Sequence, residues 1–253
     1  MSHNIITILN QKGGVGKTTT AINLSAYLAK SSRRVLLIDI DPQSNATSGL
    51  GIDINSLGNS IYEVLLNPAL LGTSIIETST NNLYLLPAKH SLSAAEVDLV
   101  NIPSRESKLK NVISQTDFDY VIIDCPPAMG LLTINALVAS SSVIIPVQAE
   151  YYAMEGLGQL LSIVQRVRET VNPNLELLGV LLTMYDSRTS LAEQVQSELQ
   201  KHLGGKLLKT VIPRNVRLAE APSFGRTILE HDKWSKGARA YKQLAKEIID
   251  RAN

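Results

Sequence analysis

Gln11-Lys12-Gly13-Gly14-Val15-Gly16-Lys17-Thr18-Thr19-Thr20 lies between a β-branched apolar run, Ile5 to Leu9, and a helical stretch, Thr18 to Lys30. A strand, a glycine-rich turn and a helix that opens on Lys-Thr-Thr form the context of a phosphate-binding P-loop. Glycines let the backbone curl so that successive N–H groups point inward, and the helix N-terminus adds partial positive charge. Lys17 is then placed to neutralise terminal phosphates, and the Thr18 hydroxyl to ligate a magnesium ion.

Moving outward, further β-branched runs at Arg34 to Ile40, Tyr120 to Asp124, Ser142 to Val147 and Leu177 to Thr183 read as buried strands. Met154 to Val171 and Leu191 to Leu203 carry apolar residues at helical spacing. Parallel strands need a covering crossover segment, so this alternation predicts a mostly parallel, twisted β-sheet with helices on both faces. The region Gln43 to Ile113 is less regular, and short helices plus a strand over Leu83 to Pro87 are expected there. No internal repeat, low-complexity tract or linker marks a second domain. The expectation is a single α/β P-loop NTPase domain over residues 1–253, with no separate helix-turn-helix domain before the first strand.

The composition is globular: 44% of residues are hydrophobic and 19% charged. Cys125 is the only cysteine, so no internal disulfide forms, and the opening residues lack a secretory pattern. No apolar run approaches the roughly 18 residues that cross a bilayer, so a cytoplasmic protein is expected. Net charge is +1, but residues 188–253 hold 13 Lys and Arg against 7 Asp and Glu. That basic final quarter is a candidate polyanion surface.

Two acidic motifs end apolar strands, at the edge where open α/β sheets bind ligands. Val35-Leu36-Leu37-Ile38-Asp39-Ile40-Asp41-Pro42-Gln43 offers Asp39 and Asp41, spaced to lie on one side of an extended chain. Tyr120-Val121-Ile122-Ile123-Asp124-Cys125-Pro126-Pro127 delivers Asp124, whose carboxylate can hold a magnesium ion against phosphate charge. Cys125 reads as a small buried neighbour, because no histidine lies nearby to activate it, and the four scattered histidines are assigned no chemistry.

The loop has Gln11 where the ordinary P-loop pattern has glycine, and it carries a second lysine, Lys12. It therefore resembles the deviant Walker A superfamily, pattern K-G-G-x-x-K-[ST], which includes ParA, Soj, MinD and the nitrogenase iron protein. That resemblance implies a slow ATPase with ATP and Mg²⁺ as cofactors. It further implies an ATP-sandwich homodimer in which Lys12 crosses to the partner's nucleotide. Lys12, Gly13, Gly14, Val15, Gly16, Lys17, Thr18 and Thr19 would contact ATP, Thr18 and Asp124 the metal, and Asp41 the attacking water. Lys12, Lys17 and Asp41 are the implied catalytic residues.

Within the superfamily, one cysteine excludes the shared cluster of the iron protein. MinD needs an amphipathic membrane-targeting helix, and Lys236 to Arg251, with no Trp or Phe, reads instead as a helix packed on its own domain. Pro146 to Gly156, Leu182 to Thr189 and Val211 to Ser223 resemble Soj segments. A ParA/Soj-type segregation ATPase is thus expected, with a MinD-like positioning ATPase or a metabolic P-loop ligase as alternatives. By the same resemblance, Arg188 and Arg217 would contact double-stranded DNA non-specifically, Pro213, Arg214 and Asn215 would edge the adenine pocket, and a ParB/Spo0J-like partner would stimulate hydrolysis on the nucleoid.

Overall fold

The computed structural model describes residues 4–150 and 153–252; Tyr151 and Tyr152, part of the 146–156 segment quoted above, lie outside the described residues. Its strands are β1 (Asn4–Ile8), β2 (Val35–Asp39), β3 (Ile76–Glu77), β4 (Leu83–Leu86), β5 (Tyr120–Asp124), β6 (Ser142–Gln148), β7 (Glu176–Tyr185) and β8 (Leu207–Pro213). They form one sheet in the order β3-β4-β2-β5-β1-β6-β7-β8. Every neighbouring pair is parallel except β3 with β4.

The longer helices are α1 (Lys17–Lys30), α2 (Leu131–Ala139), α3 (Ala153–Thr170), α4 (Ser190–Leu203) and α5 (Lys236–Ala252). Alternate strand residues feed two hydrophobic layers. Val35, Leu37 and Ile122 pack with Leu24 and Leu28 of α1 and Leu244 and Ile248 of α5. Leu36, Ile38 and Ile123 pack on the opposite face with Leu132 of α2 and Leu160 and Val164 of α3. Because both faces are covered, these strands are continuous apolar runs rather than alternating ones. Each such buried side chain contributes about 1.5–3 kcal/mol, so the parallel core is also the main source of stability.

Short helices at Asn45–Gly49, Ile61–Leu66, Leu71–Ser74, Ala95–Asp98 and Lys108–Ile113 fill the irregular region, with the strand β4 among them. The Ile61–Leu66 helix starts on a capping box, Ser60 with Glu63, which satisfies otherwise open backbone donors.

Two strands lie outside the sequence expectation. β3 has two residues, too short to carry a period. β8 is interrupted by exposed Lys209, and its register with β7 slips. The backbone N–H groups of Lys209 and Thr210 donate instead to Glu247 of α5, at 2.8 and 2.9 Å. A helix carboxylate thereby occupies hydrogen-bonding groups that an edge strand would otherwise leave open.

Candidate active site

Strand register brings the functional side chains together. Asp124 at the end of β5 lies beside Ile8 of β1 on one side and Asp39 of β2 on the other. The loop that follows β1 therefore starts between the carboxyl ends of β5 and β6, a position where open parallel sheets bind ligands.

Gly14 and Gly16 have φ of 75° and 87°, the left-handed region that favours glycine and that turns the loop back on itself. No side chain caps α1 at Gly16, which leaves first-turn N–H groups for an anion. Lys17 is buried, and its Nζ donates to the Lys12 carbonyl at 3.1 Å. Burial lowers its ammonium from the ordinary lysine range, and the Asp124 and Asp41 charges partly offset this. Thr183 of β7 braces the loop, its hydroxyl donating to the Val15 carbonyl at 2.8 Å.

Three carboxylates stand beneath the loop in different states. Asp124 is fully buried, and neither of its oxygens receives a complete hydrogen bond; the Thr18 hydroxyl faces it without closing one of normal geometry. Desolvation and then the neighbouring Asp39 charge hold its carboxyl well above the usual range. Asp39 is equally buried but satisfied: Oδ2 accepts from Thr47 N (2.8 Å) and Thr47 Oγ1 (2.7 Å), and Oδ1 from Asp41 N (3.1 Å). Its burial pushes the carboxyl up to about 6. Asp41 accepts from Gln43 N at 2.9 Å, so its segment is a tight turn whose two ends are tied to Asp39.

Beside the loop is a cavity of about 270 Å³ walled by Gly16, Thr19, Thr183, Pro213, Asn215 and Leu218, with Arg214 at its edge. Tyr241 of α5 closes it from below, its hydroxyl 3.1 Å from that of Thr20. The residues expected at an adenine edge thus adjoin the phosphate loop. A mostly apolar cavity next to an anion cradle has the chemistry to take a nucleoside polyphosphate.

The remaining expected residues lie on the rim. Lys12 projects outward and pairs with Glu150. Arg188 pairs with Asp186 at 2.6 Å, and Arg217 with Glu220 at 2.9 Å. Both arginines are exposed, and the 3.0 Å bond from Arg214 N to the Tyr185 carbonyl joins the segments that carry them. Cys125 is fully buried, where desolvation raises its thiol well above its usual range. Sequence reasoning missed Glu150, Thr47 and Thr183, none of which belongs to a charged or glycine-rich pattern that singles it out.

A family model described as an AAA domain matches residues 3–177. The sporulation initiation inhibitor protein Soj of Bacillus subtilis is 54% identical over 246 residues, covering 96% of this chain and 97% of that one. The chromosome-partitioning ATPase Soj of Thermus thermophilus is 50% identical over 246 residues, covering 97% and 95%. This chain belongs to the ParA/Soj family of chromosome-partitioning ATPases. As a ParA/Soj chain it also matches solved structures over nearly its whole length. A cobyrinic acid a,c-diamide synthase from Mycobacterium smegmatis, with bound ADP and magnesium, has a TM-score of 0.87 at 38% identity, covering 99% of this chain and 96% of that one. The septum site-determining protein MinD from Pyrococcus horikoshii, complexed with Mg-ADP, has a TM-score of 0.81 at 27% identity, covering 100% and 98%.

Proposed function

We propose that this ParA/Soj chain binds ATP and magnesium, dimerises around two nucleotides, and coats DNA without reading its sequence. A ParB/Spo0J-like protein then stimulates slow hydrolysis and releases monomers, so that uneven occupancy of the nucleoid moves the partner's cargo. The observation that carries this reading is the division of labour between the two loop lysines. Lys17 is buried over the carboxylates, whereas Lys12 stands 57% exposed at the mouth, held only by a solvent-screened pair with Glu150.

The residues present fit a divalent cation. Asp124 is a buried carboxylate with both oxygens orphaned, and the Thr18 hydroxyl faces it. Buried charges are ordinarily paired or bound to metal, so this geometry supports Thr18 and Asp124 as the magnesium holders. Magnesium, when bound, offsets negative charge on the phosphates. The chain's own residues supply the rest: Gly13 to Thr19 cradle the phosphates, Lys17 neutralises the terminal oxygens, and Asp41 orients the attacking water. Pro213, Arg214 and Asn215 edge the base. Catalysis here is positioning plus charge stabilisation, which these parts provide.

The packing of α5 onto its own domain supports DNA rather than a lipid surface as the place of action. Ala238, Tyr241, Leu244, Ala245 and Ile248 are buried against the domain, so the apolar stripe is already covered. No helix among the described residues is long and apolar enough to cross a membrane.

The test is sedimentation of the purified chain with ATP. Asp41→Ala should accumulate as a dimer that does not turn over, while Lys12→Ala should stay monomeric and still bind nucleotide. Identical behaviour of the two variants contradicts the separation of roles. Rapid turnover that requires an added small carboxylate would favour a metabolic ligase instead.

A further inference from the structure

We infer that Trp234, aided by Phe224, makes an uncharged aromatic contact to duplex DNA beside Arg217; this rests on the DNA-binding reading above. Trp234 is the only tryptophan of the chain and is 79% exposed, and Phe224 is 64% exposed. Rings this large contribute most when covered, and because single exposed apolar side chains are ordinary on a protein surface, the groups around these two decide their use.

The corner that holds them is tightly hydrogen-bonded. Trp234 N donates to Asp232 Oδ1 at 3.1 Å, Ser235 N to the Asp232 carbonyl at 3.2 Å, and Ala238 N to Ser235 Oγ at 3.1 Å. The tip is thereby locked onto the start of α5. The other oxygen of Asp232 lies 3.8 Å from Arg217 Nε. On its other side Arg217 bonds Glu220, Glu220 lies 3.7 Å from His231 Nε2, and the Phe224 ring stacks on His231 with centroids 5.1 Å apart. Arg217 is therefore flanked by two acids, one bonded to the Trp234 backbone and the other beside the His231 ring on which Phe224 stacks.

Charge decides what these rings face. Glu220 and Asp232 already pair with Arg217, while Arg226, Lys233, Lys236 and Arg239 are exposed and have no carboxylate partner among the described residues. The Lys233 ammonium lies 5.3 Å from the Trp234 ring centre. A cation over an exposed ring, on a segment whose other cations are unpaired, suits a polyanion that also offers apolar sugar and base edges, which is duplex DNA at its minor groove. An anionic membrane fits less well, because the exposed apolar residues are single side chains among charges and α5 has no free apolar stripe.

The two kinds of contact separate by salt. Phosphate contacts release counterions and weaken steeply as salt rises; a ring contact releases none. The experiment titrates random-sequence, fluorescein-labelled duplex with the full chain and ATP at several salt concentrations, reading anisotropy and, for the wild type, emission of the lone tryptophan. Trp234 emission should change on adding duplex. Trp234→Ala should weaken binding by about tenfold with an unchanged salt slope, Trp234→Phe should restore most of it, and Lys233→Ala should reduce the slope by about one. Thermal melting of each variant checks that the fold is kept. Wild-type affinity in Trp234→Ala, with binding lost in Arg217→Glu, overturns the aromatic contact alone. No ATP-dependent binding by the wild type overturns DNA binding as well. A tryptophan shift with phosphatidylglycerol vesicles but not with duplex overturns it in favour of a membrane.

Discussion

Lys12 and Glu150, 138 positions apart in sequence, form an ion pair across the mouth of the phosphate loop. The lysine proposed to serve a partner's nucleotide is thus engaged by its own subunit in the single chain. Both side chains are about half exposed, at 57% and 43%, so solvent screens the pair and its strength is modest. Glu150→Gln should free Lys12 and tighten the ATP-dependent dimer by about two- to fivefold, measured by sedimentation equilibrium. A weaker dimer would show that Glu150 belongs to the interface rather than restraining it.

Asp39 holds the turn that carries Asp41. Its carboxylate accepts Asp41 N, Thr47 N and the Thr47 hydroxyl, and that hydroxyl in turn accepts Ala88 N at 3.0 Å. Asp39→Ala leaves three buried donors without an acceptor, at a cost of about 1–3 kcal/mol each before relaxation. Single-turnover hydrolysis should fall by about 100-fold from the misplaced turn, with nucleotide affinity kept. Loss of affinity in step with rate would instead mark general unfolding of the site.

Asp124 sets stability against function. Its carboxyl is held well above the ordinary 3.8 in the folded chain by burial and then by the Asp39 charge, and that of Asp39 is pushed up to about 6. Between the unfolded and folded values the native chain keeps a proton that the unfolded chain releases, so stability falls as pH rises through that window. Asp124→Asn removes its share of this loss. The nucleotide-free variant should melt about 3 °C or more above the wild type at pH 8, and the gap should narrow at pH 4.5. Magnesium with ATP should then stabilise the wild type more than the variant. A variant that melts lower at pH 8 contradicts the reading of Asp124 as an unpaired buried acid.

Gly225 and Gly51 cross backbone to backbone. Both have left-handed φ, 61° and 79°, and a Cβ on Gly225 would lie 2.5 Å from the Gly51 Cα. Gly225→Ala meets both a conformational penalty and rigid overlap, together about 2–4 kcal/mol. A melting temperature lower by roughly 10 °C is expected by calorimetry; an unchanged one would mean that the crossing yields freely.

Which features the sequence showed follows from the range of the interactions. Lys17, Thr18 and the strand-terminal acids were readable because each follows a local pattern, and fully buried parallel strands such as Val35 to Asp39 are unbroken apolar runs. β8 was not, because exposed Lys209 breaks its pattern and Glu247, from a distant helix, supplies the missing hydrogen bonds. Glu150 and Thr183 act on the loop from 138 and 168 residues away, and only the sheet order brings them there. Asp39 was visible as an acid, but its role depends on Thr47, a residue with no distinguishing neighbours.

The central claim is that ATP converts this chain into a DNA-bound dimer, and the most direct measurement is binding to random-sequence duplex with ATP, ADP or no nucleotide, at two salt concentrations. Binding should require ATP, weaken as salt rises, and disappear in Arg217→Glu. Binding that is indifferent to nucleotide, or an ATP dimer that ignores DNA at low salt, would contradict it.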